Sequence, residues 1–179
     1  DEIDLMADMT LAARRPLNWN VLTIDSKEPE RYRDQLAANE HANALGGRVV
    51  ALTMPVLVEM NMSFLSYCAL FMLPDWATVM NLPVPERMAK LRDPEVRTFL
   101  AARAKSPEAG VVGRLAGWGR YMIGDTYSPA NEGLKGRRVA DIAKERGQDP
   151  FDALLDVVLA DDLRTVLWPL PTDSDDASW

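Results

Sequence analysis

The sequence predicts an α/β fold: a parallel sheet or barrel carrying a helical insertion. Two observations predict it. Helix-period and strand-length apolar runs alternate with short connections as far as Met54, and from Val56 to Ser106 the text turns Met-rich, aromatic and helical, punctuated by Pro74, Pro83, Pro85 and Pro94. Helix, strand, helix, strand joined by short links is the order of parallel α/β architectures, because a parallel pair needs a crossover. The 179 residues suit about one domain with a sizeable core.

Each element follows from local chemistry. Ile3, Met6, Met9, Ala12 and Ala13 recur at helical spacing behind an acidic start at Asp1, Glu2 and Asp4, and Pro16 stops the run. Leu17 to Ile24 has the length and apolar content of a buried strand, with Asn18 and Asn20 on one alternation face. Ser26 is placed to cap a second helix with Pro29 in its first turn. Tyr32, Leu36, Ala37, Ala44 and Leu45 form its stripe, and Gly46 and Gly47 end it. Arg48 to Met54 is a second strand, closed by Pro55.

Asp93-Pro94-Glu95 combines a cap, a first-turn proline and an acidic first turn, which predicts a helix with Val96, Phe99 and Leu100 facing inward. Gly110 to Gly119 is loop-like, and Tyr121 to Ile123 is a short strand. Val139, Ile142 and Ala143 mark a helix ending at Gly147. Asp149-Pro150 opens another, whose Phe151, Leu154, Leu155, Val158 and Leu159 give the cleanest helical period in the chain. Arg164 to Trp168 is a last strand, and the stretch from Pro169 to Trp179 is acidic and aperiodic.

Composition narrows function. A net charge of -7 disfavours nucleic acid and anionic membranes as general partners, since both select basic faces. No apolar run reaches membrane-spanning length and no secretory signal is visible, so a cytoplasmic protein is expected. The chain opens at Asp1 inside an amphipathic pattern, from which a preceding segment is expected. With one His and one Cys, the chain cannot assemble a His- or Cys-rich zinc site alone. His41, at the margin of its helix face, reads as structural or solvent-facing, and Cys68, in the apolar stretch Phe64 to Leu73, as core.

Asn18, Asn20 and Asn61 are candidate ligand contacts, because an amide on a buried surface needs partners. Met54, Met60, Met62, Phe64, Tyr67, Phe71, Met72, Trp76 and Met80 either line an apolar pocket or form the inner face of the insertion. Asp173, Asp175 and Asp176 lack the glycine and glutamate of a calcium loop and read as a solvated acidic segment. Gly113-x-x-x-Gly117 and Gly117-x-Gly119 lack a phosphate-binding context.

Three blocks, taken in order, carry a resemblance: Arg15-Pro16-Leu17-Asn18-Trp19-Asn20-Val21-Leu22; Pro74-Asp75-Trp76 through to Asp93-Pro94-x-x-Arg97; and Gly136-Arg137-Arg138-Val139-Ala140-Asp141-Ile142-Ala143 followed by Gly147-Gln148-Asp149-Pro150-Phe151-Asp152-Ala153-Leu154-Leu155-Asp156. In this order the chain resembles the N-acyl-D-amino-acid deacylase (D-aminoacylase) branch of the amidohydrolase superfamily, and the last block is the most specific. The resemblance implies that residues 1–179 form one partial (β/α)8 TIM-barrel domain, with the helical insertion at about 56–106. The segment would begin before about the sixth barrel strand and end before the eighth. It implies a hydrolase acting on an N-acyl amino acid or related amide, with zinc in the full-length parent and none on this fragment, which would be inactive alone and prone to self-association.

No family catalytic residue falls on a matching residue. Where the sixth strand ends in Ser-His, this sequence reads Asn20-Val21, and where Tyr-Pro-Tyr follows the next strand it reads Met54-Pro55-Val56. Asn18, Asn20, Met54 and Asn61 are therefore the expected substrate-binding positions. The first three stand at or near strand ends, where barrels keep their chemistry. The other reading of the residues is a non-enzymatic α/β binding or interaction module with a Met-rich apolar pocket.

Overall fold

The computed structural model describes residues 1–20, 22, 30–53 and 60–170. These fall into two compact units, the first within residues 1–58 and the second within 59–171. The expected helix start at Ser26 and Pro29, the upper ends of both early strands, Met54, and the acidic Asp173, Asp175 and Asp176 lie outside the described residues.

In the first unit, α1 (Glu2–Ala13) opens with a reciprocal capping box between Asp1 and Asp4. Its buried positions are Ala7 and Thr10, with Ile3 and Met6 packed beside them, whereas Met9 is about half exposed. The buried face is thus rotated from the expected one, because α1 meets its neighbour through small side chains. β1 (Leu17–Asn20) and β2 (Val49–Leu52) pair in parallel, Leu17 opposite Val49 and Asn20 opposite Leu52. Between them α2 (Arg31–Ala44) makes the crossover that a parallel pair requires.

α2 buries Ala38 and Ala42, one turn apart, and leaves Ala44 and Leu45 exposed. Its expected stripe is therefore shifted as well. The core of this unit is Ala7, Ala38, Ala42 and Val49, with Leu17 and Trp19 packed against it. Alanines on both helices permit close approach but bury little apolar area.

The second unit is mainly helical. A 3-10 turn at Ala69–Met72 leads to α3 (Ala77–Met80), α4 (Val84–Arg92) and α5 (Pro94–Ala104). Asp93 caps α5 as expected, its carboxylate accepting from the Glu95 N–H at 2.9 Å. Leu100 and Ala104 are buried one turn apart, while Phe99, expected inside, is 46% exposed. Residues Pro107–Ala116 and Trp118–Arg120 form 3-10 turns where the glycines predict an open loop. The interruption falls at Gly110, whose φ of 49° lies in the left-handed region.

β3 (Tyr121–Ile123), α6 (Val139–Arg146), α7 (Pro150–Ala160) and β4 (Leu167–Pro169) complete the unit. Gly147 ends α6 at φ 64°, and Asp149 caps α7 by accepting from the Phe151 N–H at 2.8 Å. Phe151, Leu154, Leu155, Val158 and Leu159 are all buried, as their period predicts. Around α7 the rings of Trp76 and Trp118 stack at 5.4 Å and Phe151 lies 4.7 Å from Trp118. The stretch expected as an insertion thus carries its helices from Ala69 to Ala104, and Leu91 and Leu100 share one core with Leu154 and Leu167.

The class is α/β. Among the described residues the strands form two separate pairs, β1 with β2 in parallel and β3 with β4 antiparallel, Tyr121 opposite Pro169 and Ile123 opposite Leu167. The expected last strand is present, starting three residues later and ending one later than read, and its antiparallel pairing differs from the all-parallel order of a barrel.

Candidate functional site

The amide-bearing face of β1 is the candidate site in the first unit. Strand alternation turns Leu17 and Trp19 toward the alanine core and Asn18 and Asn20 away from it, and both asparagines are exposed. The strand was expected to be buried, so this is a difference. The register sets Val50 beside Asn18 and Leu52 beside Asn20, giving a surface of amides next to aliphatic side chains. At the carboxyl end the pairing continues past the strands: the Leu22 N–H donates to the Leu52 carbonyl at 2.9 Å, and the Thr53 hydroxyl donates to the Leu22 carbonyl at 3.0 Å. Such a surface can hold a ligand that offers both amide-type hydrogen bonds and apolar area.

Asn61 belongs to the second unit, where its Oδ1 accepts from the Trp168 indole N–H at 2.6 Å. The structure therefore gives it a partner within its own unit. Met54 is outside the described residues.

The Met and aromatic residues divide. Met62, Phe64, Phe71, Trp76 and Met80 are buried in the large core, while Met60, Tyr67 and Met72 are exposed. Cavity-lining is not what the buried members do; they pack on one another and on Trp118 and Phe151. Cys68 is half-buried against the same core, its thiol donates to the Ser63 carbonyl at 3.4 Å, and burial pushes the thiol above its ordinary value. A thiol held neutral is a poor nucleophile. The Tyr121 hydroxyl is likewise raised by burial and donates to the Leu115 carbonyl at 3.0 Å.

His41 lies 3.0 Å from an Asp4 carboxylate oxygen, with the Asp4 side chain exposed and the His41 side chain partly so. Among the described residues no three histidine, cysteine or carboxylate side chains gather as a metal site. The donor set decides the fit to zinc: a partly exposed His–Asp pair on two helices and neutral amides on β1 do not supply the ligands zinc requires. The described residues therefore do not fit a zinc ion. Nor is any described helix long and apolar enough to cross a membrane.

Sequence reading missed three buried polar anchors. Arg87, 7% exposed, directs its guanidinium to the backbone carbonyls of Phe64, Leu65 and Leu82, with the Phe71 ring 5.4 Å away, and burial lowers its pKa. The fully buried Asp161 accepts from the Tyr127 and Ser128 N–H groups at 3.2 and 2.6 Å and from the Thr165 hydroxyl at 2.6 Å. Asn131 donates to the Val157 carbonyl at 2.8 Å. No local pattern marks these positions, because each is paired with a group distant in sequence.

Arg97 was visible as part of a block, though its role was not. Its guanidinium reaches Asp152 at 3.2 Å and Asp156 at 2.9 Å on α7, and its Nε donates to the Leu91 carbonyl at 2.8 Å. Gln148 adds a bond to the other Asp156 oxygen at 2.9 Å. Five residues from two distant blocks thus form one junction between α4, α5 and α7. No protein family matches the chain, and no curated protein or solved structure is found to be similar to it.

Proposed function

We propose that the chain is the central segment of a metal-dependent amidohydrolase that hydrolyses the amide C–N bond of an N-acyl-D-amino acid or a related amide. The observation that carries the reading is the parallel β1–α2–β2 unit with Asn18 and Asn20 on one strand face. A parallel pair with one helical crossover is the repeating part of a (β/α)8 barrel, in which side chains near the carboxyl ends of the strands contact substrate. The junction of Arg97 with Asp152 and Asp156 adds support, since it gives two of the three blocks that bear the family resemblance a shared physical role.

In this reading Asn18 and Asn20 bind and orient polar groups of the substrate, and the zinc ligands come from other strands of the barrel. Met54 remains a further substrate-contact position of the proposal. The test is release of free D-amino acid from a panel of N-acyl-D-amino acids by the chain in its full coding context. Release that falls at least tenfold in N20A, with the fold retained, is the expected result. Zinc-loaded protein inactive across the whole panel would overturn the reading. Stoichiometric zinc on residues 1–179 alone would overturn the assignment of the ligands to other strands.

A non-enzymatic interaction module is the second reading, favoured by the neighbouring exposed Tyr67 and Met72 at 73% and 60%. Inactivity in the same assay, with a compact monomer, points to it.

A further inference from the structure

Two turns in the first unit bring three arginines to one groove of about 400 Å³, which Thr10, Arg14, Arg15, Gly46, Gly47 and Arg48 line. Arg14 and Arg15 immediately precede β1 and Arg48 immediately precedes β2, so the groove lies at the amino ends of the strands, opposite the end where Asn20 stands. All three side chains are exposed, and among the described residues none of them has a carboxylate partner. In a chain of net charge -7 such a cluster runs against the background.

The groove is built rather than incidental. Thr10 is buried, its hydroxyl lies 2.5 Å from the Arg15 carbonyl oxygen and accepts from the Arg48 N–H at 3.2 Å, so one side chain clamps the two arginine-bearing turns together. The Leu17 N–H donates to the Arg48 carbonyl at 2.9 Å and closes the same junction. Gly47 presses on α1 so closely that a Cβ there would stand 2.5 Å from the Thr10 methyl. Arg14 caps α1 with φ 50°, in the left-handed region, and Gly46 turns the chain at φ 83°.

Helix ends explain part of the charge. α1 and α2 both finish at this groove, and each carboxyl terminus carries roughly half a negative charge, so together they balance about one of the three guanidinium groups. About two positive charges remain. A phosphate group carries roughly that charge at neutral pH and offers several oxygens to the paired N–H donors of arginine.

We propose that this groove binds a phosphate-type dianion, either phosphate itself or the phosphoryl group of a small metabolite. The proposal depends on the geometry of the first unit alone and not on the amidohydrolase reading. It is tested by titrating the chain with inorganic phosphate and, separately, with glycerol phosphate, at constant ionic strength maintained with chloride, while following the backbone amide resonances of Gly46, Gly47 and Arg48.

Saturable shifts at these amides with both phosphates are expected, with no saturation by chloride. R48Q should weaken binding roughly tenfold, about the effect of one charge-assisted hydrogen-bonding group, and R48K should weaken it less because the charge remains. The Asn18 amide resonance reports that the fold is retained in each variant. Tighter binding of glycerol phosphate identifies a phosphorylated metabolite as the ligand, and tighter binding of inorganic phosphate identifies the free ion. Shifts that never saturate, or binding unchanged in the triple variant R14Q/R15Q/R48Q, overturn the proposal.

Discussion

The two units solve the same burial problem with different side chains. The first packs Ala7, Ala38 and Ala42 around Val49 and leaves the amide face of β1 exposed. The second packs Trp76, Trp118, Phe151, Phe64 and Tyr121 with a full set of leucines, and it holds its polar interior with Arg87, Asn131 and Asp161. Each buried aromatic removes roughly 150–250 Å² from water, far more than an alanine can. Small side chains permit close helix contact and leave the amide face of β1 open, and large ones bury far more apolar area; the contrast predicts that the second unit is the more rigid.

Removing the largest contributor to that rigidity should have the largest effect. Trp76 is fully buried, stacks on Trp118, and its indole N–H donates to the Leu100 carbonyl at 3.0 Å. Trp76→Ala should cost about 3–5 kcal/mol. Hydrogen exchange resolved by peptide should show protection lost across residues 60–170 and little changed in 1–53. Equal loss in both stretches would break the comparison.

A smaller effect is expected from the opposite side. Gly47→Ala places a methyl 2.5 Å from the Thr10 Cγ2, which forces the turn off α1. The expected cost is about 1–3 kcal/mol, with protection lost in residues 1–53 only. Protection unchanged in that stretch would show that the alanine-lined contact is looser than the geometry indicates.

The smallest effect concerns the edge of the large core. Because burial raises the Cys68 thiol, the folded chain favours the neutral form. The associated stability is fully present below the ordinary thiol pKa and fades as pH rises above it toward the higher folded-state value. Alkylation of Cys68 at pH 8 should be several-fold slower in the folded chain than in the chain unfolded in urea. Equal rates would place the thiol in solvent and loosen the boundary drawn around the core.

The same contrast explains what could be read from sequence. The caps of α5 and α7, the stop at Gly147 and the buried stripe of α7 were legible because each depends on residues within about one turn of one another. The faces of α1 and α2 were not, since several alanines lie within reach of either orientation and only the neighbouring helix selects Ala7, Ala38 and Ala42. Phe99 misled for a related reason: it adjoins Leu100 in sequence but stands about 100° away around α5. Of the candidate site residues, Asn18 and Asn20 share a strand face as alternation requires, whereas Asn61 is engaged by Trp168 from far along the chain.

By itself the sequence determined the α/β class, the alternation of α1, β1, α2 and β2, the caps of α5 and α7 and the scarcity of zinc ligands, because these follow from residue counts and short-range spacing. Only the tertiary structure decided that Met62, Phe64 and Trp76 pack into a core, that Arg97 grips Asp152 and Asp156, and that Thr10 draws Arg14, Arg15 and Arg48 to one groove. Each of these arrangements needs at least one partner tens of positions away, chosen by chain geometry rather than by any local pattern.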